Sequence, residues 1–210
     1  MKYPIGIQDF ERIIEDGYVY LDKTGLVYDL VHNGTIYFLC RPRRFGKSLL
    51  VSTLKCYFEG KKKLFKGLAI DKLEKEWKQY PVLHLSFGGQ NFVEPYALDK
   101  VLEEFVAMAE RIYGREELAE TLGSRFKAVL GNAHKKTGMR AVVLIDEYDK
   151  PLLDVMDMDI SVQNEYGKMT LEDYNRNLLK GVYSVFKEAD DDLQFVLLTG
   201  VTKFSQVSVF

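Results

Sequence analysis

The chain has 210 residues, 47% of them hydrophobic and 29% charged, with a formal net charge of −2. That balance suits one globular domain with its own core, and it excludes a disordered chain or a small disulfide-stapled scaffold. Near-neutral charge excludes a broad attraction to nucleic acid or anionic membrane, and no apolar run has the length of a secretory leader or a membrane span, so a cytoplasmic protein without membrane contact is expected.

In chain order, residues 1–34 form an N-terminal segment ahead of a core at 35–210. Gly17-Tyr18-Val19-Tyr20 reads as a short extended piece and residues 22–31 as a helix. Residues 35–40 read as a strand. A helix over 48–58 follows, with Leu49, Leu50, Leu54, Tyr57 and Phe58 at helical spacing and Gly60 as its stop. Residues 81–87 give a second strand, and Gly88-Gly89-Gln90-Asn91 a loop. Helical patterns cover 99–113 and 116–134, the latter weakened by Gly131. Residues 141–145 give a third strand, 154–168 a loop, 170–189 a helix and 193–198 a fourth strand. Thr170-x-x-Asp173 has the form of a helix cap. The strands are short apolar runs rather than alternating ones, as in a parallel sheet covered on both faces. Strands separated by helices therefore predict an α/β domain.

Cys40 and Cys56 are too few for a disulfide framework and read as reduced, largely buried thiols. Charge is uneven. Residues 41–66 carry Arg41, Arg43, Arg44, Lys47, Lys55, Lys61, Lys62, Lys63 and Lys66 against the single acid Glu59. A basic patch facing phosphates accounts for the first part of this cluster, and a solvated surface for residues 61–63. His32, His84 and His134 show no metal-ligand spacing. Trp77, Tyr80 and Phe87 read as packing residues rather than platforms for bases.

Three stretches carry chemistry. In "RPRRFGKS" (41–48), Gly46-Lys47-Ser48 fills the second half of the phosphate-loop pattern G-x-x-x-x-G-K-[ST], but Arg41 stands where the first glycine belongs. A strand before and a helix after are the context this motif needs. Backbone N–H groups and the helix dipole would face an anion there. Arg43, Arg44, Phe45, Gly46, Lys47, Ser48 and Leu49 are the candidate nucleotide-binding residues, with Lys47 reaching the terminal phosphates and Ser48 placed to ligate Mg²⁺.

In "AVVLIDEYDK" (141–150) an apolar strand ends in Asp146-Glu147. Asp146 is the candidate metal acid and Glu147 the candidate base for a water attacking the γ-phosphate. An acid directly after the metal acid favours ATP over GTP hydrolysis. In "LQFVLLTGVTKFS" (193–205) the strand ends at Thr199-Gly200, and Thr199 is the candidate γ-phosphate sensor, with Thr202 and Lys203 next. ATP and Mg²⁺ are thus the expected cofactors. A nucleotide-binding regulatory module with little turnover, a nucleic-acid-handling module and a small-molecule kinase stay open on these residues.

With these motifs the chain resembles the AAA-ATPase-like family, through "PIGIQDFERIIEDGYVYLDKTGLVYDL", "FLCRPRRFGKSLLVSTLKCYFEG", "VLIDEYDKPL" and "LLTGVTKFSQVSVF". The resemblance makes Arg41 a family trait and marks Asp22-Lys23-Thr24 as a signature, with Lys23 or Thr24 near the adenine or phosphates. It implies a P-loop NTPase of ASCE/AAA-like type, a three-layer sandwich with mainly parallel sheet, in sheet order 2-3-4-1 by chain order of the strands. Family members often carry a C-terminal PD-(D/E)XK nuclease-like domain, through which a nucleic-acid partner would come. Because the sequence stops at Phe210, it is expected to be truncated before a fifth strand and lid, leaving the first strand as an exposed edge open to self-association.

Overall fold

The computed structural model describes residues 1–164 and 167–202. Helix α1 (Phe10–Glu15) starts where Asp9 accepts from the Arg12 N–H, and α2 (Thr24–Asn33) follows. Strand β1 (Ile36–Cys40) leads into α3 (Lys47–Phe58), which ends at Glu59 before the left-handed Gly60. A 3-10 turn at Lys62–Phe65 and short α4 (Ala69–Leu73) precede β2 (Val82–Ser86). Next come α5 (Ala97–Tyr113), α6 (Leu122–Thr137), β3 (Ala141–Asp146) and α7 (Lys150–Leu153). A hairpin of β4 (Ser161–Asn164) and β5 (Gly167–Thr170) is followed by α8 (Leu171–Tyr183), α9 (Val185–Glu188) and β6 (Leu193–Gly200).

The main sheet has the order β1-β6-β3-β2, with every pair parallel, which is the expected order of the four apolar runs. Burial explains the run character of the central strands. All of β3 and nearly all of β6 is buried, because helices cover both faces. Alternate residues serve opposite layers. Val142, Leu144, Phe195 and Leu197 pack with Phe10, Val27, Leu54 and Phe58 on one face. Val143, Ile145, Val196 and Leu198 pack with Leu102, Phe126, Leu179 and Tyr183 on the other. The edge strands differ, since β1 is half-buried throughout and β2 alternates in burial. Among the described residues, β1 pairs with β6 alone.

Residues 17–20 pair in no sheet among the described residues, and the Val19 N–H donates to the Lys2 carbonyl at 2.8 Å. Three sequence expectations need correction. The helix expected from 116 starts at Leu122, because Thr121 and Ser124 cap each other's backbone reciprocally. The helix over 170–189 breaks at Ser184, whose hydroxyl bonds back to the Gly181 carbonyl, although Thr170 does cap its start. The expected loop at 154–168 contains β4, paired antiparallel with β5. Among the described residues, Val162 and Met169 tie this hairpin to a small cluster with Val155 and Leu171, too little apolar pattern to show in four-residue strands.

The basic stretch at 41–66 does not act as one patch. Lys47 is buried, and Lys55 faces Glu59. Lys61, read from sequence as solvated, bridges Glu11 at 2.6 Å and Glu59 at 3.1 Å, fastening α1 to the end of α3. Among the described residues no helix is long and apolar enough to cross a membrane, and no cluster of His, Cys, Asp and Glu forms a metal site.

Both thiols are free, and they differ in environment. Cys56 is 3% exposed, and burial pushes its thiol up to about 12, while Cys40 is half-buried at the end of β1. Cys56 therefore stays a neutral thiol well above pH 8. Maleimide labelling of the native protein at pH 8, followed by peptide mass analysis, should modify Cys40 first and Cys56 only on unfolding.

Candidate nucleotide site

The parallel sheet brings the ends of β1, β3 and β6 to one edge, the place where α/β sheets bind ligands. β1 continues its ladder one residue further, with the Arg41 N–H donating to the Gly200 carbonyl at 3.1 Å. The chain then turns through residues 42–46 into α3. Arg44 (φ 67°) and Gly46 (φ 76°) are both left-handed. The loop lacks the usual first glycine, and Arg44 takes one of the two left-handed positions instead, at a cost of about 1–3 kcal/mol. Such turns point successive N–H groups inward as an anion-binding concavity. Lys47, at the first turn of α3, is 7% exposed. Its ammonium donates to the Arg41 and Pro42 carbonyls at 2.9 and 3.1 Å, which holds it over the loop.

The acid side is built by strand register. Ser86 stands level with Asp146 across β2 and β3. The Thr199 hydroxyl, wholly buried, donates to Asp146 Oδ1. The Glu147 N–H points at the same Asp146 oxygen (3.1 Å) and at Thr199 Oγ1 (3.4 Å). Both bonds to Asp146 fall on Oδ1. Glu147 itself is left-handed (φ 55°), which swings its side chain out of the strand direction. Gly88 lies beside it: a side-chain carbon there would stand 3.5 Å from the Glu147 carboxylate.

Arg43, Arg44, Gly46, Lys47, Ser48, Leu49 and Glu147 line one cavity of about 700 Å³ together with Ile5, Gly6, Ile7 and Gln8. Sequence reasoning had not placed residues 5–8 at the site; Gly6, left-handed at φ 75°, was the signal for a turn there. Asp146 and Thr199 sit behind Glu147 rather than on the cavity wall. Phe45, 68% exposed, faces a neighbouring apolar cavity of about 700 Å³ with Arg41, Lys23, Tyr20, Leu26 and Leu50. Gly46 and Leu49 belong to both walls. Thr202 is held by Asp149, to which its N–H and hydroxyl donate. Lys203 lies outside the described residues.

The Asp22-Lys23-Thr24 signature divides its work. Asp22 accepts from the Thr24 N–H (2.8 Å) and hydroxyl (2.7 Å) with one oxygen, and from the Ala69 N–H (2.7 Å) with the other. Those hydrogen bonds hold the Asp22 carboxyl below its ordinary range, although burial opposes them as the largest single effect. The wholly buried Thr24 hydroxyl accepts from the Ile70 N–H at 3.1 Å. Asp22 and Thr24 thus pin the start of α2 to the start of α4, and Lys23 alone reaches the apolar cavity. Thr24→Val keeps the shape and removes both bonds of the hydroxyl. It should cost about 1–3 kcal/mol in denaturant unfolding.

Comparison with known proteins places this geometry in a family. A curated relative from Azotobacter chroococcum mcd 1, described as an uncharacterized protein in the vnfD 5′ region, is 40% identical over 213 residues. The alignment covers 100% of this chain and 39% of that relative, so the chain spans about two fifths of its length. No solved structure matches. The profile of a family described as predicted AAA-ATPase matches residues 4–210. The chain belongs to the AAA-ATPase-like family.

Proposed function

We propose that the chain is a P-loop NTPase of the ASCE/AAA-like type that binds Mg-ATP in the cleft between residues 43–49 and Glu147 and hydrolyses it. One observation carries this reading: Lys47, Ser48 and Glu147 line a single cavity, and the Asp146–Thr199 pair stands directly behind the acid. Its volume, about 700 Å³, suits a nucleotide. Left-handed turns and the start of a 12-residue helix offer N–H groups to phosphate oxygens. Lys47 would exchange its two loop carbonyls for β- and γ-phosphate oxygens, a short move for a flexible side chain already over the loop.

The donor set fits Mg²⁺. Ser48 and Asp146 supply hard oxygens, and Mg²⁺ bound to phosphates needs only one or two carboxylates besides water. When bound, the ion would neutralise charge on the phosphates. Thr199 and the Glu147 N–H hold Asp146 Oδ1, so the other carboxylate oxygen would be the one to serve the ion. Glu147 is the general base: it would take a proton from the attacking water, and its left-handed backbone holds the carboxylate toward the cavity. Thr199 acts through Asp146 and Glu147, being too buried to touch phosphate directly.

Coupling of nucleotide state to conformation or to assembly with further copies is the output this chemistry would drive. The dispersal of the basic cluster into ion pairs and cleft walls favours nucleotide over nucleic acid as the ligand of residues 41–66.

Two variants test the reading. Lys47→Ala should weaken ATP binding about tenfold or more, the equivalent of one charged hydrogen bond to phosphate. Glu147→Gln should bind ATP like the wild type while hydrolysis drops about 10²- to 10⁴-fold. Unchanged ATP affinity in the first variant refutes the phosphate site. Wild-type turnover in the second removes Glu147 as the base, and binding without turnover in the parent chain supports the regulatory reading instead.

A further inference from the structure

Beyond the acids, the loop after β3 makes a second set of contacts that the proposed chemistry does not use. Asp149 is 1% exposed, and one of its oxygens accepts from the Val201 N–H (2.7 Å), the Thr202 N–H (2.7 Å) and the Thr202 hydroxyl (2.9 Å). Tyr148 donates its hydroxyl to the Thr202 carbonyl at 2.5 Å and its N–H to the Thr199 carbonyl at 2.9 Å. The Tyr148 ring fills the space over Gly200: a Cβ there would lie 2.2 Å from the ring and 2.9 Å from the Asp149 carboxyl carbon. The same ring packs edge-on against Phe38 of β1, centroids 4.4 Å apart. From Gly200 the contacts run on to the phosphate loop, through the Arg41 N–H to the Gly200 carbonyl and from Lys47 to the Arg41 carbonyl.

A buried carboxylate is costly unless fully hydrogen-bonded. Here three donors come from one two-residue stretch, so the charge is satisfied only while the turn at 200–202 keeps its shape. We propose that Asp149 is a positioning residue for ATP hydrolysis: by locking the turn at 200–202 onto the acid loop, it fixes Thr199, and through Thr199 the orientation of Asp146 and Glu147. The inference rests on the hydrolysis reading above. Asp149 touches neither cavity wall, so it acts on turnover rather than on ATP binding.

The test compares wild type, Asp149→Ala, Asp149→Asn and Thr202→Val for ATP affinity by calorimetry, kcat under saturating Mg-ATP, and amide exchange at residues 199–202. Asp149→Ala should lower kcat about 10- to 100-fold, as sub-ångström misplacement of a base does, with ATP affinity within about threefold and faster exchange at 201 and 202. Asp149→Asn, which keeps an acceptor oxygen but not the charge, should recover part of kcat relative to Asp149→Ala. Thr202→Val removes one bond only and should show a smaller loss of the same kind, which keeps the test open where Asp149→Ala does not fold. A kcat loss that equals the unfolded fraction overturns the proposal, and so does an equal loss in Asp149→Asn or unchanged kcat in the folded variants. A wild-type chain that fails to bind ATP refutes the nucleotide reading itself, an outcome distinct from normal ATP turnover with an indifferent Asp149.

Discussion

The parallel pairing of β6 between β1 and β3 is the constraint on which the site depends. It sets Leu39 level with Thr199 and Ile145 level with Leu198, so the three strand ends meet at one edge. Only in that register can the Thr199 hydroxyl reach Asp146 and the Gly200 carbonyl accept from Arg41. A slip of one residue would turn Thr199 to the opposite face of the sheet. The register is held by burial on both faces, since each of β3 and β6 sends alternate side chains into two separate cores. Burying each such Val, Leu or Phe contributes about 1.5–3 kcal/mol, and together they outweigh the few polar contacts at the strand ends. The core therefore decides the geometry, and the site inherits it.

Two of the four left-handed non-glycine residues among the described residues stand where that geometry is used. Arg44 and Glu147 are non-glycine residues in left-handed conformation, one on each side of the cavity. Such conformations persist only where the surroundings over-determine them. For Glu147 the surroundings are its own N–H bonds to Asp146 and Thr199, and the packing of the next residue, Tyr148, against Gly200 and Phe38. Arg44 is flanked by Pro42, whose ring fixes φ, and by Gly46, already left-handed.

The N-terminal segment is part of the site's architecture rather than an addition to it. Residues 5–8 line the same cavity as Lys47. Their position is secured at a distance: Phe10 is buried against Phe65 and Tyr20, its N–H donates to Ser52 on α3, and Lys61 reaches back to Glu11. Asp22 and Thr24 then tie the same segment to residues 69–70. The helix that carries Lys47 and the segment facing it are thus cross-braced, which limits how far the cleft can spread.

The sequence by itself determined the α/β class, the four sheet strands and the residues that cluster at their ends. Apolar runs such as residues 141–145 and 193–198 announce strands buried on both faces, and Gly46-Lys47-Ser48 and Asp146-Glu147 are local patterns with local meaning. It could not show the β4–β5 hairpin or the break at Ser184, because four-residue strands and one back-bonded serine leave no periodic trace. It marked Asp22-Lys23-Thr24 without a role, since the partners at 69–70 are more than forty residues away. Nor could it separate Lys61 from Lys62 and Lys63, which look alike until Glu11 arrives from another helix. Tertiary structure alone decided that residues 5–8 line the same cavity as residues 43–49, and that Asp149 and Tyr148 belong to the turn after β6. Strand ends are set by short-range pattern, whereas what stands across from them is set by how two cores pack around one sheet.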